Sequence, residues 1–220
     1  MANIPYKLFS FDKIPSTQDY AHALVVDGRA KDRMIVLAEA QSMGRGRHRR
    51  AWVSHHGNLY VSFIFANAAM GSALSYAVAV SVAHTLQSFG IRARIKWPND
   101  ILVDSKKISG ILIEYSGDFA IVGIGLNIKT NPTVSAAYKT TKTDNYVLGI
   151  SRDALLAELK SQLDHWTSAK FRTVRAAWTA LAEQIGEHIT HNGQTGIMRG
   201  LDENGALILE VDGKEIKLKA

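Results

Sequence analysis

Residues 44–52, GRGRHRRAW, combine four arginines and a histidine with two glycines, and they include no acidic residue. The segment is poorly suited to fold alone, because its charges repel one another and its glycines lose much backbone entropy on ordering. Two apolar runs typical of β-strands nevertheless flank it, at residues 34–38 and 59–65. We therefore predict a loop between strands of a compact domain, whose guanidinium groups suit the oxygens of an anion. We call this segment the arginine loop.

Composition limits the classes of protein to which the chain can belong. Its 220 residues suffice for one large domain, or for a main domain with a small appendage. The net charge of +6 favours phosphorylated or polyanionic partners. The absence of cysteine excludes disulfides, thiolate metal sites and a cysteine nucleophile. Because there is no signal-peptide pattern and no apolar run long enough to cross a bilayer, we expect a cytoplasmic protein without membrane contact.

The hydrophobic pattern predicts an α+β fold. Helices are expected to begin at Ser16, Ser72 and Ser151, since serine is a favourable N-cap. Residues 101–128 alternate as an antiparallel meander, and the asparagine-glycine and aspartate-glycine pairs at 192, 204 and 212 predict hairpins. We therefore divide the chain into a mixed, mostly antiparallel sheet backed by helices over residues 1–185 and a small β module over residues 186–220.

Three further segments carry side chains suited to ligands, and each also has an ordinary structural explanation. Residues 96–100, KWPND, end a strand with two polar side chains, although this is also a common turn. Strict alternation puts Lys107 on the face of Ser109 and Lys106 on the opposite face, so one ammonium must face the core or a cleft, where an anion would stabilise it. Asn127, in an apolar strand, needs hydrogen-bond partners from a ligand or from the core itself.

Together and in this order, the four segments resemble the biotin–protein ligases, which attach biotin to a lysine of a biotin carboxyl carrier domain. The family's Gly-Arg-Gly-Arg-x-x-Arg-x-Trp loop matches residues 44–52, and its Lys-Trp-Pro-Asn-Asp matches residues 96–100. Its Lys-x-x-Gly-Ile-Leu matches residues 107–112, and its Gly-x-Gly-x-Asn matches residues 123–127. The resemblance, from residue 7 to the C-terminus, implies a class II synthetase-like catalytic domain followed by a small SH3-like β-barrel.

The resemblance also implies a reaction in two steps that uses ATP, Mg²⁺ and biotin. The biotin carboxylate attacks the α-phosphate of ATP to give biotinyl-5′-AMP and pyrophosphate, and the carrier lysine then attacks the acyl carbon. The implied catalytic residues are Lys107, Arg47 and Arg45, with Asp100 reaching Mg²⁺ through a water. The implied biotin-binding residues are Ser16, Thr17, Gln18, Gln41, Gly44, Arg45, Lys107, Gly110 and Leu112. The implied residues for ATP and the adenylate are Arg45, Arg47, Arg50, Trp52, Asn99, Asp100, Lys107 and Asn127.

The sequence departs from the family pattern in three places. Arg49 stands where the family's loop commonly has glycine, and Gln18 stands where asparagine is usual. The last residues lack the family's Gly-Glu-x-x-Leu-Arg pattern, so we expect a shortened C-terminal module. The start of the chain leaves no room for the winged-helix domain of some members, so operator DNA binding is not expected.

Other functions are weighed against this one. A lipoate or octanoate ligase or transferase of the same fold is the alternative, and ATP-dependent activation of biotin against lipoate separates the two. A nucleic-acid-binding module would use residues 45–50 as a phosphate clamp, but aromatic residues for base stacking are not interleaved with these arginines. The expected acceptor is the carrier of acetyl-CoA carboxylase or a related carboxylase, and the edge at residues 114–118 suits strand pairing in a homodimer.

Overall fold

The computed structural model describes residues 6–66, 71–132 and 139–218, which form helices and strands in the predicted α+β class. The strands are β1 (Lys7–Ile14), β2 (Met34–Gln41), β3 (Leu59–Ala66), β4 (Arg94–Lys96), β5 (Asp100–Val103), β6 (Lys106–Ser116), β7 (Phe119–Leu126), β8 (His188–His191), β9 (Gln194–Leu201), β10 (Leu207–Val211) and β11 (Lys214–Leu218). The helices are α1 (Thr17–Val26), α2 (Ser72–Ser88), α3 (Arg152–Ser168) and α4 (Phe171–Leu181). Among these described helices, none is long and apolar enough to cross a membrane.

The chain divides into two compact units, residues 1–70 with 103–156, and residues 71–102 with 157–220. This division does not coincide with the boundary at residue 185 predicted from the sequence. Helices α2 and α4 belong to the same unit as the C-terminal strands β8–β11, although α2 lies far from these strands in sequence.

In the first unit, five strands form a sheet in the order β1–β2–β3–β7–β6. Strand β1 pairs in parallel with β2, and the other pairs are antiparallel. Two rows of register partners cross four of these strands: Val36, Ser62, Gly123 and Leu112 in one, and Ala38, Tyr60, Gly125 and Gly110 in the next. Because alternate residues of a strand point to the same side, both rows line one face of the sheet. We call the part of this face formed by Gly110, Gly123 and Gly125 the glycine floor.

Helix α1 lies on the same face of the sheet. As predicted, Ser16 caps it: the Ser16 backbone is extended and its Oγ accepts a hydrogen bond from Asp19 N at 3.3 Å. The helix buries polar Thr17 and Gln18 in its first turn and apolar residues further along. These apolar residues join a core cluster made of Ala21, Leu24, Met34, Val36, Ile64 and Ile121. Helix α1 is therefore fixed by apolar packing at one end and presents polar side chains at the other.

In the second unit, aromatic side chains form part of the core. The ring of Tyr76 in α2 lies 5.9 Å from the ring of Trp97 and 5.5 Å from that of Trp178 in α4. The Tyr76 hydroxyl donates a hydrogen bond of 2.6 Å to the carbonyl of Gly205, between β9 and β10. Four antiparallel strands in the order β11–β10–β9–β8 form the predicted C-terminal β module. Tyr76 therefore ties this module to α2.

Candidate functional site

The arginine loop closes on itself like a hairpin between β2 and β3. Backbone hydrogen bonds join Trp52 N to Gly44 O at 2.8 Å and Gly46 N to Arg50 O at 2.8 Å, and a tight turn with left-handed backbone at His48 and Arg49 forms the tip. Glycine is needed at position 44, since a Cβ there would lie 2.5 Å from the Trp52 carbonyl oxygen. The loop backbone is therefore paired despite its like charges, and Trp52 follows at its base.

Trp52 lies directly on the glycine floor. A Cβ at Gly125 would lie 2.5 Å from Cε2 and Nε1 of the indole, and a Cβ at Gly110 would lie 2.9 Å from its Cζ3. These two glycines are register partners on β7 and β6. Only residues without a side chain allow the indole to approach the sheet so closely. The glycines of the third and fourth sequence motifs thus make room for a side chain from the first.

The Lys107 ammonium also lies on the glycine floor, 5.1 Å from the centre of the Trp52 ring. A Cβ at Gly110 would lie 3.2 Å from Lys107 Nζ. Strict alternation had placed Lys107 on the face of Ser109, and this prediction was wrong. Lys107 lies near the start of β6, outside the register between β6 and β7, and its long side chain brings the ammonium to Gly110 on the other face.

A chain of hydrogen bonds connects the neutral polar side chains beside the floor. Gln41 Oε1 accepts from Thr17 N at 2.8 Å, and Gln41 Nε2 donates to Ser54 Oγ at 2.9 Å. Ser62 Oγ lies 3.0 Å from Thr17 Oγ1 and 2.9 Å from Gln18 Oε1. We call these five residues the polar cluster. It brings together three of the predicted biotin-binding residues with two serines that the sequence reasoning missed, although Ser62 visibly interrupts an apolar strand.

Gln18, which replaces the family's usual asparagine, uses its length to span the floor. Its Oε1 would lie 2.6 Å from a Cβ on Gly123, and its Nε2 donates to the Ile121 carbonyl at 3.1 Å and to Glu114 Oε2 at 3.0 Å. Gln18 is buried, so these bonds satisfy an amide that would otherwise be costly to desolvate. Glu114 is a further residue that the sequence reasoning did not assign, although it alternates with Gly110 on the same face of β6.

Arg45 of the arginine loop is bound by two carboxylates. Its Nε donates to Asp19 Oδ1 at 2.8 Å, and its Nη1 and Nη2 donate to Glu114 Oε1 at 2.5 Å and Oε2 at 2.8 Å. The hydrogen bond to Glu114 is the main reason why the pKa of Arg45 rises above its ordinary value, against the effect of burial. Burial would raise the pKa of Glu114, but the hydrogen bonds from Arg45 and Gln18 outweigh it and hold that pKa below its ordinary value.

Several other predicted site residues lack an ion pair or a hydrogen-bond partner within the described part of the chain. Arg47 and Arg50 form no ion pair with any residue that the structure describes. Asn127 is buried and its Nδ2 donates to the Thr141 carbonyl at 3.0 Å, but its Oδ1 has no hydrogen-bond partner within the described residues. The buried Nε1 of Trp52 likewise has none there. Asn127 thus offers an acceptor and Trp52 a donor to a ligand.

Ser16 lies next to Thr17 of the polar cluster, and Leu112 lies next to the glycine floor. The Ser16 hydroxyl caps helix α1, and Leu112 is the register partner of Gly123. Leu112 therefore supplies an apolar wall next to the floor.

Asn99 and Asp100 belong to the second unit. Strands β4 and β5 form a hairpin there, in which Asp100 pairs with Lys96 and the turn contains a cis Trp97–Pro98 peptide bond. Within the described residues, no three His, Cys, Asp or Glu side chains are grouped to hold a metal. A single carboxylate such as Asp100 nevertheless fits Mg²⁺, which keeps several waters and takes its other ligands from substrate phosphates.

Known proteins resemble this chain over most of its length. Residues 10–131 match the model of the Biotin/lipoate A/B protein ligase family. The chain is 34% identical over 201 residues to the biotin–[acetyl-CoA-carboxylase] ligase of Paracoccus denitrificans, an alignment that covers 79% of this chain and 82% of that protein. It is 32% identical over 230 residues to the bifunctional ligase/repressor BirA of Bacillus subtilis (strain 168), covering 93% of this chain and 70% of that protein.

Solved structures show the same fold. The biotin protein ligase from Aquifex aeolicus in complex with biotin and ATP matches with a TM-score of 0.83 and 25% identity, covering 96% of this chain and 95% of that one. The biotin protein ligase from Leishmania major in complex with biotinyl-5-AMP matches with a TM-score of 0.75 at 22% identity, covering 99% and 100%.

Proposed function

Because the chain belongs to the biotin/lipoate A/B protein ligase family, we infer that it is an ATP-dependent biotin–protein ligase. It forms biotinyl-5′-AMP from biotin and ATP and transfers the biotinyl group to a lysine of a biotin carboxyl carrier domain. One observation carries this conclusion: the neutral polar cluster and the Lys107 ammonium lie on the same face of one sheet, beside a floor of glycines.

We propose that the polar cluster binds the ureido head of biotin. A ureido group offers two N–H donors and a carbonyl acceptor, and hydroxyl and amide side chains match both kinds of group. Thr17 and Gln41 are held by one another and by Ser54 and Ser62, so their orientation is set before the ligand arrives. Neutral partners suit a neutral head group, because no buried charge is left unpaired when biotin leaves.

The biotin carboxylate and the ATP phosphates are both anions, so adenylate formation needs cations that offset their repulsion. We propose that Lys107 and Arg47 supply this charge. Support comes from the Lys107 ammonium over the floor and from an Arg47 side chain without an ion pair in the described part of the chain. Gly110 and Leu112 then flank the ligand, and Arg50 contributes positive charge from the arginine loop.

For the nucleotide, we propose the orphaned groups of Asn127 and Trp52 as hydrogen-bond partners, and we keep Asn99 and Asp100 as predicted residues for ATP. Bound Mg²⁺ would screen the phosphates, and Asp100 would hold it through a water. The orphaned Asn127 Oδ1 supports this role, since a buried carbonyl oxygen without a partner costs about 1–3 kcal/mol until something donates to it.

The arginine loop has a second task in this proposal. Biotinyl-5′-AMP is a mixed anhydride that water hydrolyses, so a loop closed over it preserves it until the carrier lysine arrives. We further propose the carrier domain of acetyl-CoA carboxylase or a related carboxylase as the acceptor, and a cytoplasmic location, which the lack of cysteine supports. A homodimer that pairs the edge at residues 114–118 stays a prediction.

Pyrophosphate release tests the function. The protein is mixed with Mg·ATP and either biotin, lipoate or octanoate, and pyrophosphate is measured with and without a carrier domain. We expect release with biotin alone among the three acids, and transfer of biotin to the carrier lysine. Release with lipoate or octanoate but not with biotin would replace this function by the alternative within the same family.

A further inference from the structure

Arg45 differs from the neighbouring arginines because its charge is already paired. Glu114 binds it through both carboxylate oxygens, and Asp19 binds it from helix α1. Two negative groups around one guanidinium leave little positive charge for an approaching anion. Arg45 is therefore poorly placed to neutralise reacting phosphates, although its position in the motif suggested that role.

Glu114 connects two structures that otherwise belong to different segments of the chain. Its Oε2 accepts hydrogen bonds from Arg45 of the arginine loop and from Gln18 of helix α1. Gln18 in turn contacts Ser62 of the polar cluster. One carboxylate thus touches both the loop that covers the site and the cluster that would bind biotin.

We propose that Glu114 is a positioning residue that latches the arginine loop closed by holding Arg45, and that Gln18 couples this latch to the other members of the polar cluster. The inference rests on the proposed function, in which the closed loop protects the adenylate. It assigns Arg45 to the latch and leaves Lys107 and Arg47 to offset the charge of the reacting anions.

The geometry makes this contact stronger than an ordinary surface ion pair. Two parallel N–H···O bonds between guanidinium and carboxylate are strong and directional. The side chains of Arg45 and Glu114 are only 25% and 31% exposed, so water screens them less than a pair at the open surface. The second partner, Asp19, is 52% exposed, and we expect it to hold the loop less firmly.

Proteolysis of the ligand-free protein tests the latch without any enzymatic activity. Trypsin binds its substrate as an extended segment, so opening of the tight loop speeds cleavage after its arginines, although Arg49 and Arg50 are already exposed. We expect Glu114→Gln to speed cleavage at residues 45–50 by roughly tenfold, the factor that corresponds to about 1.4 kcal/mol. Glu210→Gln, which removes the partner of Arg199 in the second unit, is the matched control and should leave loop cleavage unchanged. Equal cleavage rates in both variants would overturn the latch.

A double-mutant comparison tests the role of Arg45. We expect Glu114→Gln and Arg45→Gln each to speed the escape of biotinyl-5′-AMP to solvent, measured as labelling of a bystander protein, and the double variant to add little to either one. If Arg45→Gln instead slows pyrophosphate release by the same factor in both backgrounds, Arg45 acts on the reacting anions and the proposal fails. A wild-type protein that releases no pyrophosphate with biotin would contradict the proposed function, while the proteolysis result would still decide the latch.

Discussion

Replacing Gly125 by alanine should push Trp52 off the glycine floor. The new Cβ would lie 2.5 Å from Cε2 and Nε1 of the indole and 2.8 Å from its Cζ2, closer than any real Cβ contact. The sheet resists displacement, since Gly125 is paired between Tyr60 on β3 and Gly110 on β6. The indole, which belongs to a loop, must therefore move. Overpacking of this kind costs about 1–3 kcal/mol.

Intrinsic fluorescence can follow this displacement. The chain has four tryptophans, and Trp97, Trp166 and Trp178 are buried within the second unit. A red shift of the emission in Gly125→Ala would therefore report exposure of Trp52. Gly46→Ala is the matched control in the same loop, since a Cβ there would meet only the Arg50 carbonyl oxygen at 3.8 Å. We expect the control to keep wild-type emission and wild-type unfolding free energy.

A double-mutant cycle tests whether the new methyl group at position 125 clashes with the indole of Trp52. We expect Gly125→Ala to lower the free energy of unfolding by about 1–3 kcal/mol in the wild type, and by close to nothing in a Trp52→Ala background. Urea unfolding of the four proteins gives both costs. Equal costs in the two backgrounds would refute the placement of Trp52 on the floor.

The remaining predictions concern the charges of the site. Lys107→Ala should slow adenylate formation by roughly 10²–10³, as expected for one lost transition-state partner, in a single-turnover pyrophosphate assay. Arg47→Gly should release adenylate to solvent and biotinylate bystander lysines; retention equal to wild type would contradict the lid. Arg49 has a φ of +56°, which glycine adopts without strain, so Arg49→Gly should stabilise the closed loop by about 1 kcal/mol. Arg50 has a φ of −65°, so Arg50→Gly should loosen the loop instead. The rate of tryptic cleavage within the loop measures both effects. The pKa of Glu114 is lowered in the folded protein, so its stabilisation of the closed loop is fully present above the ordinary glutamate pKa of about 4.3 and is lost as the pH falls through the lower value. We expect a red shift of Trp52 emission over that fall in pH. Glu114→Gln should abolish this pH dependence.

Local sequence signals predicted most elements of the fold. Ser16 could be recognised as a helix cap because its hydroxyl precedes an amphipathic run, and the structure shows that bond to Asp19 N. Three of the four motifs, residues 44–52, 107–112 and 123–127, do meet on one face of the sheet, where Trp52 contacts Gly110, Gly125 and Lys107. These features depend on residues close together in sequence or on a pattern shared by a family.

Two features of the site could not be read from spacing. Strand parity predicts the side to which a Cβ points but not where the end of a long side chain lies, and the Lys107 ammonium reaches Gly110 on the other face. The ion pair between Arg45 and Glu114 joins positions 69 residues apart, so it depends on the packing of the loop against β6. Gln18 presents the same difficulty, since its partner Glu114 is 96 residues away.

The contacts that close the arginine loop explain how a segment of like charges can both fold and open. Glu114 and Asp19 cancel the charge of Arg45, and the indole of Trp52 gains contact with the glycine floor. Against these contacts stand the uncompensated arginines and the positive φ of Arg49, which costs a non-glycine residue about 1–2 kcal/mol. The closed state is therefore held by a few contacts of about 1–3 kcal/mol each, less than the 5–15 kcal/mol that typically stabilises a whole domain. Such a loop opens without unfolding the sheet beneath it. A lid over a reactive intermediate needs this property, because it must open in every turnover.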